Sequence, residues 1–422
     1  TFSYLAGIVL VNRISIKMGI SSKKSMAASV MFACMPIAFA EALSTQVDEF
    51  AAVWVLIFVY TVLDFIMYDD NLKWNRLNAY RLIVLSLSIA FGYLAKPSVI
   101  PEMLIFLIWM IIVRLKKKDN IRTLIAMICV AALCILAAVS PELTRNIRTF
   151  HALSSGDTGA RQIVGTDKPN YIIVNGIKNY AYNLSDIYIY AVKFRTEKAV
   201  YSIASAMGVD INDESISEGG VEYTMGTIQN YDHDSAVNPV TVIFSTIAFL
   251  YLIFRLLRRK EKRSERQRLI DAFTFITFFA FIVFCLMVRW EFFVTRYMLS
   301  YLALLCIGTA GQIDILSEHN ERAGYAVSVI IYFVCFVELF GLMNYHLKIC
   351  YNQVKAPYRS DGYFFKRDEV EEDYEALMKY INSSDYKCIG LRIYGDTYKY
   401  PIFAMTGDKS VSYHEVLTDD IE

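Results

Sequence analysis

The chain has 422 residues, of which 55% are hydrophobic and 20% charged, with a mean hydropathy of +0.37. That is too apolar for an ordinary soluble enzyme of this length. Lys plus Arg and Asp plus Glu both number 42, so net charge points to no nucleic-acid partner, and five His argue against a His-rich metal cage.

The apolar residues come in blocks separated by short charged stretches, and a helix needs roughly 20 apolar residues to cross a bilayer. In chain order the blocks predict spans at Phe2–Val11, Met26–Leu43, Phe50–Met67, Tyr80–Leu94, Val99–Val113, Leu124–Val139, Val240–Leu257, Ala272–Val288, Tyr297–Gln312 and Ala323–Met343. The expected fold class is an all-α polytopic membrane protein with about ten transmembrane helices. There is no initiator Met, and Thr1 to Val11 read as the end of a membrane helix, so the chain is expected to be an N-terminally truncated fragment.

Orientation follows from the bias of Lys and Arg toward cytoplasmic connections. Four connections are basic: Asn12–Lys24, Tyr68–Arg76, Arg114–Arg122 and Arg255–Arg268, the last reading RLLRRKEKRSERQR. A fifth, Ile313–Arg322, is charged without being basic. The other side then holds Ser44–Glu49, Ala95–Ser98, a long loop, the turn Arg289–Arg296 and the tail from Asn344. The domain plan is thus residues 1–139 and 240–345 as the two parts of a helical core, 140–239 as a large extracytoplasmic loop, and 346–422 as a small extracytoplasmic α/β domain. Within the loop, Tyr171–Ser205 reads as amphipathic helices near the interface. Within the tail, an acidic helix at Asp368–Ile381 precedes strand-like runs at Cys388–Tyr394 and Ile402–Met405.

No GxGxxG, P-loop, HExxH or GxSxG is present. What stands out is a set of polar residues at the outer helix ends. STQVDEF puts Asp48 and Glu49 in a tight turn, where they bind a cation or a sugar hydroxyl, or simply favour the start of the next helix. GYLAKPS puts Lys96 at the outer surface, as an anchor or as a holder of an anionic head group. SPELTRNIRTF places Arg145 and Arg148 outside, against the charge bias; phosphate binding explains them, and so does a salt bridge with Glu142. RWEFFVTRY adds Arg289, Glu291 and Arg296. YDHDSAVNP offers Asp232, His233 and Asp234 for a metal or sugar, though three adjacent residues do not all point one way and a solvated turn is the ordinary outcome. Asp64 and Glu338 are acids inside apolar spans and functional candidates on that ground. Cations and acids converging on the outer ends of apolar helices suit an amphiphilic anionic substrate.

STQVDEF, GYLAKPS, SPELTRNIRTF, YDHDSAVNP and RWEFFVTRY, in that order along the chain, resemble the GT-C superfamily of integral-membrane glycosyltransferases. The likeness is to its bacterial family-39-like group, which includes protein O-mannosyltransferases and aminoarabinose transferases. The tail segment IGLRIYGDTYKYPIF is similar to a C-terminal module of other members. The resemblance implies a multi-pass protein of the cell membrane with an extracytoplasmic active face. Its donor would be a polyprenyl-phosphate-linked sugar and its acceptor a cell-envelope glycan, lipid or protein, with inversion at the anomeric carbon. It implies that Asp48 and Glu49 shape the acceptor or metal side, and that Lys96 and Arg296, with Arg145 less securely, contact the donor phosphate. Metal use varies across the superfamily, so a divalent cation, Mg or Mn, is the one cofactor it admits. The family's catalytic Asp lies in a first outer loop, here expected upstream of Thr1. Two other classes stay open: a lipid-linked glycan polymerase or ligase, and a flippase or partner subunit that lacks this Asp.

Overall fold

The computed structural model describes all residues except 45, 68–71, 153–162, 186–189, 226–234, 259–262, 356–362, 365–369, 393–398, 408–409 and 416–422, and excepting the side chains of 190–192, 349–350 and 352–355. The chain divides into two compact units: Thr1–Thr144 with Asp157–Leu342, and Arg145–Gly156 with Met343–Glu422.

The first unit is helical. Its helices are α1 (Phe2–Lys17), α2 (Ser22–Ala33), α3 (Pro36–Glu41), α4 (Asp48–Met67), α5 (Arg76–Ala95), α6 (Ile100–Lys116), α7 (from Ile121), α8 (Pro169–Tyr182), α9 (Tyr190–Ala206), α10 (Pro239–Arg258), α11 (Glu265–Met287), α12 (Val294–Tyr297), α13 (Leu299–His319) and α14 (from Glu321). Among the described residues, eight helices are long and apolar enough to cross a membrane: α4, α5, α6 with the short turn before it, α7, α10, α11, α13 and α14. The chain is thus an all-α protein of membrane type. Of the ten expected spans, two fall short of that length. α1 has only 16 residues, and the block Met26–Leu43 is split at Pro36. Proline cannot donate the hydrogen bond that would continue a helix, and it opens a new one comfortably. The backbone N–H of Ile37, next to the break, donates to Asn238 Oδ1 at 3.2 Å.

Small residues set how closely the central helices pack. α13 is buried over almost its whole length. A Cβ at Gly311 would come within 2.6 Å of Ile270 Cγ2 on α11, and one at Gly308 within 3.3 Å of Thr277 Oγ1. Glycine lets the backbones approach, which substitutes for the missing hydrophobic drive between helices in lipid. Hydroxyls add interhelical hydrogen bonds, Ser245 Oγ to Thr309 Oγ1 at 3.0 Å and Thr274 Oγ to the Gly308 carbonyl at 3.3 Å.

The end of the bundle that carries the basic connections is tied by ion pairs. Arg114 and Asp119 are both fully buried and joined by two bonds, Nε–Oδ2 at 2.5 Å and Nη2–Oδ1 at 2.8 Å. Arg255 bonds Asp271 and donates to Gln312 Oε1 at 2.8 Å. Arg266 bonds Asp314 and Glu318 and donates to the Gly19 carbonyl at 2.7 Å. Asp64, expected as a functional candidate inside a span, belongs to this belt, with Lys17 at 2.5 Å and Arg81 at 3.9 Å.

At the other end α8 lies on α11, where the sequence predicts interfacial helices. Asn175 and Asn179, one turn apart, donate to the carbonyls of Cys285 (3.0 and 2.9 Å) and Val288 (2.7 Å each). They satisfy carbonyls that a helix end leaves without partners. Lys178, on the same helix, is buried. Its ammonium donates to the carbonyls of Ile211 (2.7 Å) and Ile216 (3.2 Å) and to Ser217 Oγ (2.5 Å), with Tyr223 and Trp290 rings over it. Residues 209–225 are thereby folded around one lysine. Burial pushes that amine down to about 7, with Asp210 and Asp213 pulling the other way.

In the second unit α7 runs on to Phe150 and α14 to Lys355, so Ser140–Phe150 and the first residues of the tail are helix where loop is expected. Pro141 lies inside this helix, where it removes one hydrogen bond and favours a kink without ending the helix. Beyond lie α15 (Glu371–Ser383), β1 (Cys388–Leu391), α16 (Lys399–Met405) and β2 (Ser412–Glu415). β1 and β2 pair in parallel, Cys388 opposite Ser412. The second strand expected at Ile402–Met405 is instead helix α16, and the partner strand is Ser412–Glu415. A parallel pair needs a crossover, and α16 supplies it. Met378, Ile381 and Ile402 form the small core.

Candidate functional site

The site forms where α3, α4, α5, α6 and the 289–297 turn meet, at the end of the bundle opposite the basic connections. Each element is short of polar partners there because it emerges from an apolar run. Asp48 and Glu49 open α4, where the helix dipole favours acids, and both are buried, 4% and 5% exposed. Lys96 is the last residue before Pro97, which ends α5 and begins the next turn. Arg296 and Tyr297 lie on the one-turn helix α12 before α13.

Residues far apart in the chain converge here. Lys96 is ion-paired with Asp48, 48 positions away, and its ammonium lies 3.9 Å from the centre of the Tyr297 ring. Arg296 stacks its guanidinium on Tyr297 and Phe293, at 5.2 and 5.4 Å, and donates to the Tyr297 hydroxyl at 3.3 Å. Burial pushes the Lys96 ammonium below the usual lysine range, and Asp48 opposes that shift. Tyr297 is raised to about 12 by burial and then by Glu291, and burial raises the Glu291 carboxyl.

Two further acids stand at this end of the bundle, Glu41 within the cluster and Glu102 beside Ser300, and the sequence reading did not single them out. Glu41, at the end of α3, lies in the field of Asp48, Lys96, Arg296 and Glu49. Glu102, on the first turn of α6, is buried and accepts from Ser300 Oγ at 2.6 Å. Each is an isolated acid in an apolar run. That is itself the signal, because a charge at membrane depth is costly and kept for a reason. Buried carboxylate oxygens without a hydrogen-bond partner collect at this end: Glu41 Oε1, Asp48 Oδ2, Glu49 Oε1, Glu102 Oε1 and Glu291 Oε1. Buried polar atoms are normally satisfied, so such a set marks a place where a ligand's donors would be welcome.

The structure thus brings Asp48, Glu49, Lys96 and Arg296 together. Arg145 belongs to the other compact unit, on the extension of α7, where it donates to Asn146 Oδ1 at 3.3 Å. Asp232, His233 and Asp234 lie outside the described residues. Arg289 is held by the loop, through the Ile163 carbonyl at 2.8 Å and Glu218 at 3.6 Å. Among the described residues no three His, Cys, Asp or Glu side chains are placed to hold a metal ion, so no chemistry is assigned to one.

Chemically, the arrangement pairs two cations with a set of hydrogen-bond acceptors at the end of a dry helical bundle. It can neutralise an anionic group and accept hydrogen bonds from hydroxyls beside it. Set against known proteins, the chain matches no family model, no curated protein and no solved structure.

Proposed function

We propose that this chain is a membrane glycosyltransferase that moves a sugar from a polyprenyl-phosphate-linked donor to an acceptor on the extracytoplasmic face, with inversion. The observation that carries the reading is the convergence of Asp48, Lys96 and Arg296, from three separate motifs of the resemblance, in one buried cluster. Lys96 and Arg296 stabilise the charge that develops on the leaving phosphate, a contribution that grows in a water-poor site. Asp48 holds Lys96 in place through their ion pair. Glu49 and Glu41 accept hydrogen bonds from sugar or acceptor hydroxyls. Arg145 is kept as a further phosphate contact only by the resemblance.

The test is transfer by the full chain in lipid nanodiscs, offered a panel of polyprenyl-phosphate sugars with envelope acceptors. Lys96→Ala and Arg296→Ala are each expected to lower kcat by about 10²- to 10³-fold, the usual cost of removing one such group. Arg296→Ala should melt near wild type, whereas Lys96→Ala, which leaves the buried Asp48 carboxylate unpaired, should melt lower, so its rate is normalised to the folded fraction. Normal transfer by both variants would overturn the site. Binding of a lipid-linked glycan with movement across the bilayer and no transfer would favour the flippase reading instead.

A further inference from the structure

A second feature lies at the opposite, basic end, far along the helices from the site above. Between α4, α5, α6 and α7 there is a cavity of about 140 Å³. Its walls are apolar, with Leu82 and Leu85 from α5, Leu107 and Met110 from α6, and Met127 and Ala131 from α7 among them. That volume is comparable with dry apolar cavities of about 150 Å³ that take up small hydrocarbons. Its shape is elongated. The α7 wall runs from Leu124 to Ile135, which at 1.5 Å per residue is about 16 Å along the helix.

The cavity exists because α7 stands off from its neighbours. Only 17% of the apolar window of α7 is buried, against 61% for α4. The turn between α6 and α7 is rigid nonetheless. The doubly bonded Arg114–Asp119 pair spans it, Asp119 Oδ1 also accepts from the Leu72 N–H at 3.1 Å, and Arg114 Nη1 donates to the Phe65 carbonyl at 3.2 Å. Arg114 thus closes one end of the slot with a fully buried, partnered charge. The slot is built into the fold and opens along the side of the bundle.

Around that closed end the chain is cationic. The two adjoining stretches, 68–76 and 114–122, contain seven Lys or Arg against three Asp. Lys73, Arg76, Lys116, Lys118 and Arg122 are exposed. An apolar slot beside a patch of exposed cations matches one kind of molecule: an amphiphile with a hydrocarbon chain and an anionic head.

We propose that this slot holds a segment of one acyl chain of an anionic phospholipid, with the headgroup phosphate among Lys73, Lys116, Lys118 and Arg122. The slot selects for a hydrocarbon segment because its walls are apolar along about 16 Å of α7. The cations select for the headgroup charge, each adding about fivefold in affinity near the surface.

The experiment is native mass spectrometry of the full chain in detergent, titrated with phosphatidylglycerol or phosphatidylcholine. One phosphatidylglycerol is expected to stay bound, with at least a tenfold preference over phosphatidylcholine. Replacing Lys73, Lys116, Lys118 and Arg122 together by Gln should bring the two lipids to equal affinity. Ala131→Phe, which fills the slot, should weaken retention of the bound lipid tenfold or more. Where Ala131→Phe does not fold, a phosphatidylglycerol carrying a photoactivatable group in its chain is applied to the wild-type chain, and the labelled peptides should contain residues 107–114 or 124–135. Equal binding of the two lipids by the wild type, full retention in a folded Ala131→Phe, or labelling confined to other peptides would overturn the proposal.

Discussion

The two ends of the helical bundle treat buried charge in opposite ways. At the basic end, Arg114 meets Asp119, Arg255 meets Asp271 and Gln312, Arg266 meets Asp314, and Lys17 meets Asp64. Apart from Arg255 Nε, the side-chain atoms named in those pairs are satisfied. At the other end the Lys96–Asp48 pair shares its end of the bundle with carboxylate oxygens without hydrogen-bond partners among the described residues. An unpartnered buried acceptor costs free energy, so a fold keeps such atoms together where something outside the chain completes them. The contrast separates charges that hold helices in register from charges placed for use.

The largest effect that would test this contrast is at Arg114. Asp119→Ala leaves a buried, uncompensated guanidinium, and removing one partner of a buried pair costs about 3–5 kcal/mol. The expected result is loss of the folded protein, or a melting temperature lowered by many degrees in detergent. Replacing both residues by apolar ones of similar size should recover most of the loss. A smaller cost is expected at Asp314→Asn, which keeps shape but weakens bonds to Arg266 and Ser21; hydrogen bonds to charged groups contribute about 1.5–3 kcal/mol, read again as a fall in melting temperature.

Lys178 carries the fully partnered kind of charge over to the other end, and its pH dependence sharpens the comparison. Its folded value, about 7, is below the ordinary lysine value. Between those values the unfolded chain holds the proton and the folded chain does not, so stability rises with pH across that window and is lowest below about pH 7. Hydrogen exchange corrected for intrinsic rates should show residues 209–225 better protected at pH 9 than at pH 6.5, and Lys178→Met should abolish that difference. Smallest of all is Glu49→Gln, which replaces a buried carboxyl that has an unpartnered oxygen with an amide of nearly the same shape. Because the two side chains have nearly the same volume, its melting temperature is expected to stay close to wild type. If Glu49 serves a ligand, transfer should nonetheless fall in the same variant; a large destabilisation would show that Glu49 belongs with the structural charges instead.

Much of the plan was legible in the order of residues. Blocks such as Phe50–Met67 and Ala272–Val288 announce helices because lipid cannot satisfy a backbone that does not satisfy itself. The stretch Met26–Leu43 misled because its mean hydropathy hides Pro36, whose effect is local geometry rather than composition. Ile402–Met405 reads as a strand by side-chain type, yet it forms the crossover that a parallel pair requires. Glu41 and Glu102 escaped notice because each stands alone in its segment and has no motif around it.

By itself the sequence determined the helical membrane class, the approximate spans and the segregation of basic connections, since these depend on residues close together in the chain. Only the tertiary structure decided which charges meet. Lys96 finds Asp48 across 48 residues and Ser300 finds Glu102 across 198, and neither partner is encoded near the other. Buried charges choose partners through the packing of whole helices. The distinction between a structural pair and an acceptor left waiting therefore appears only once the bundle is assembled.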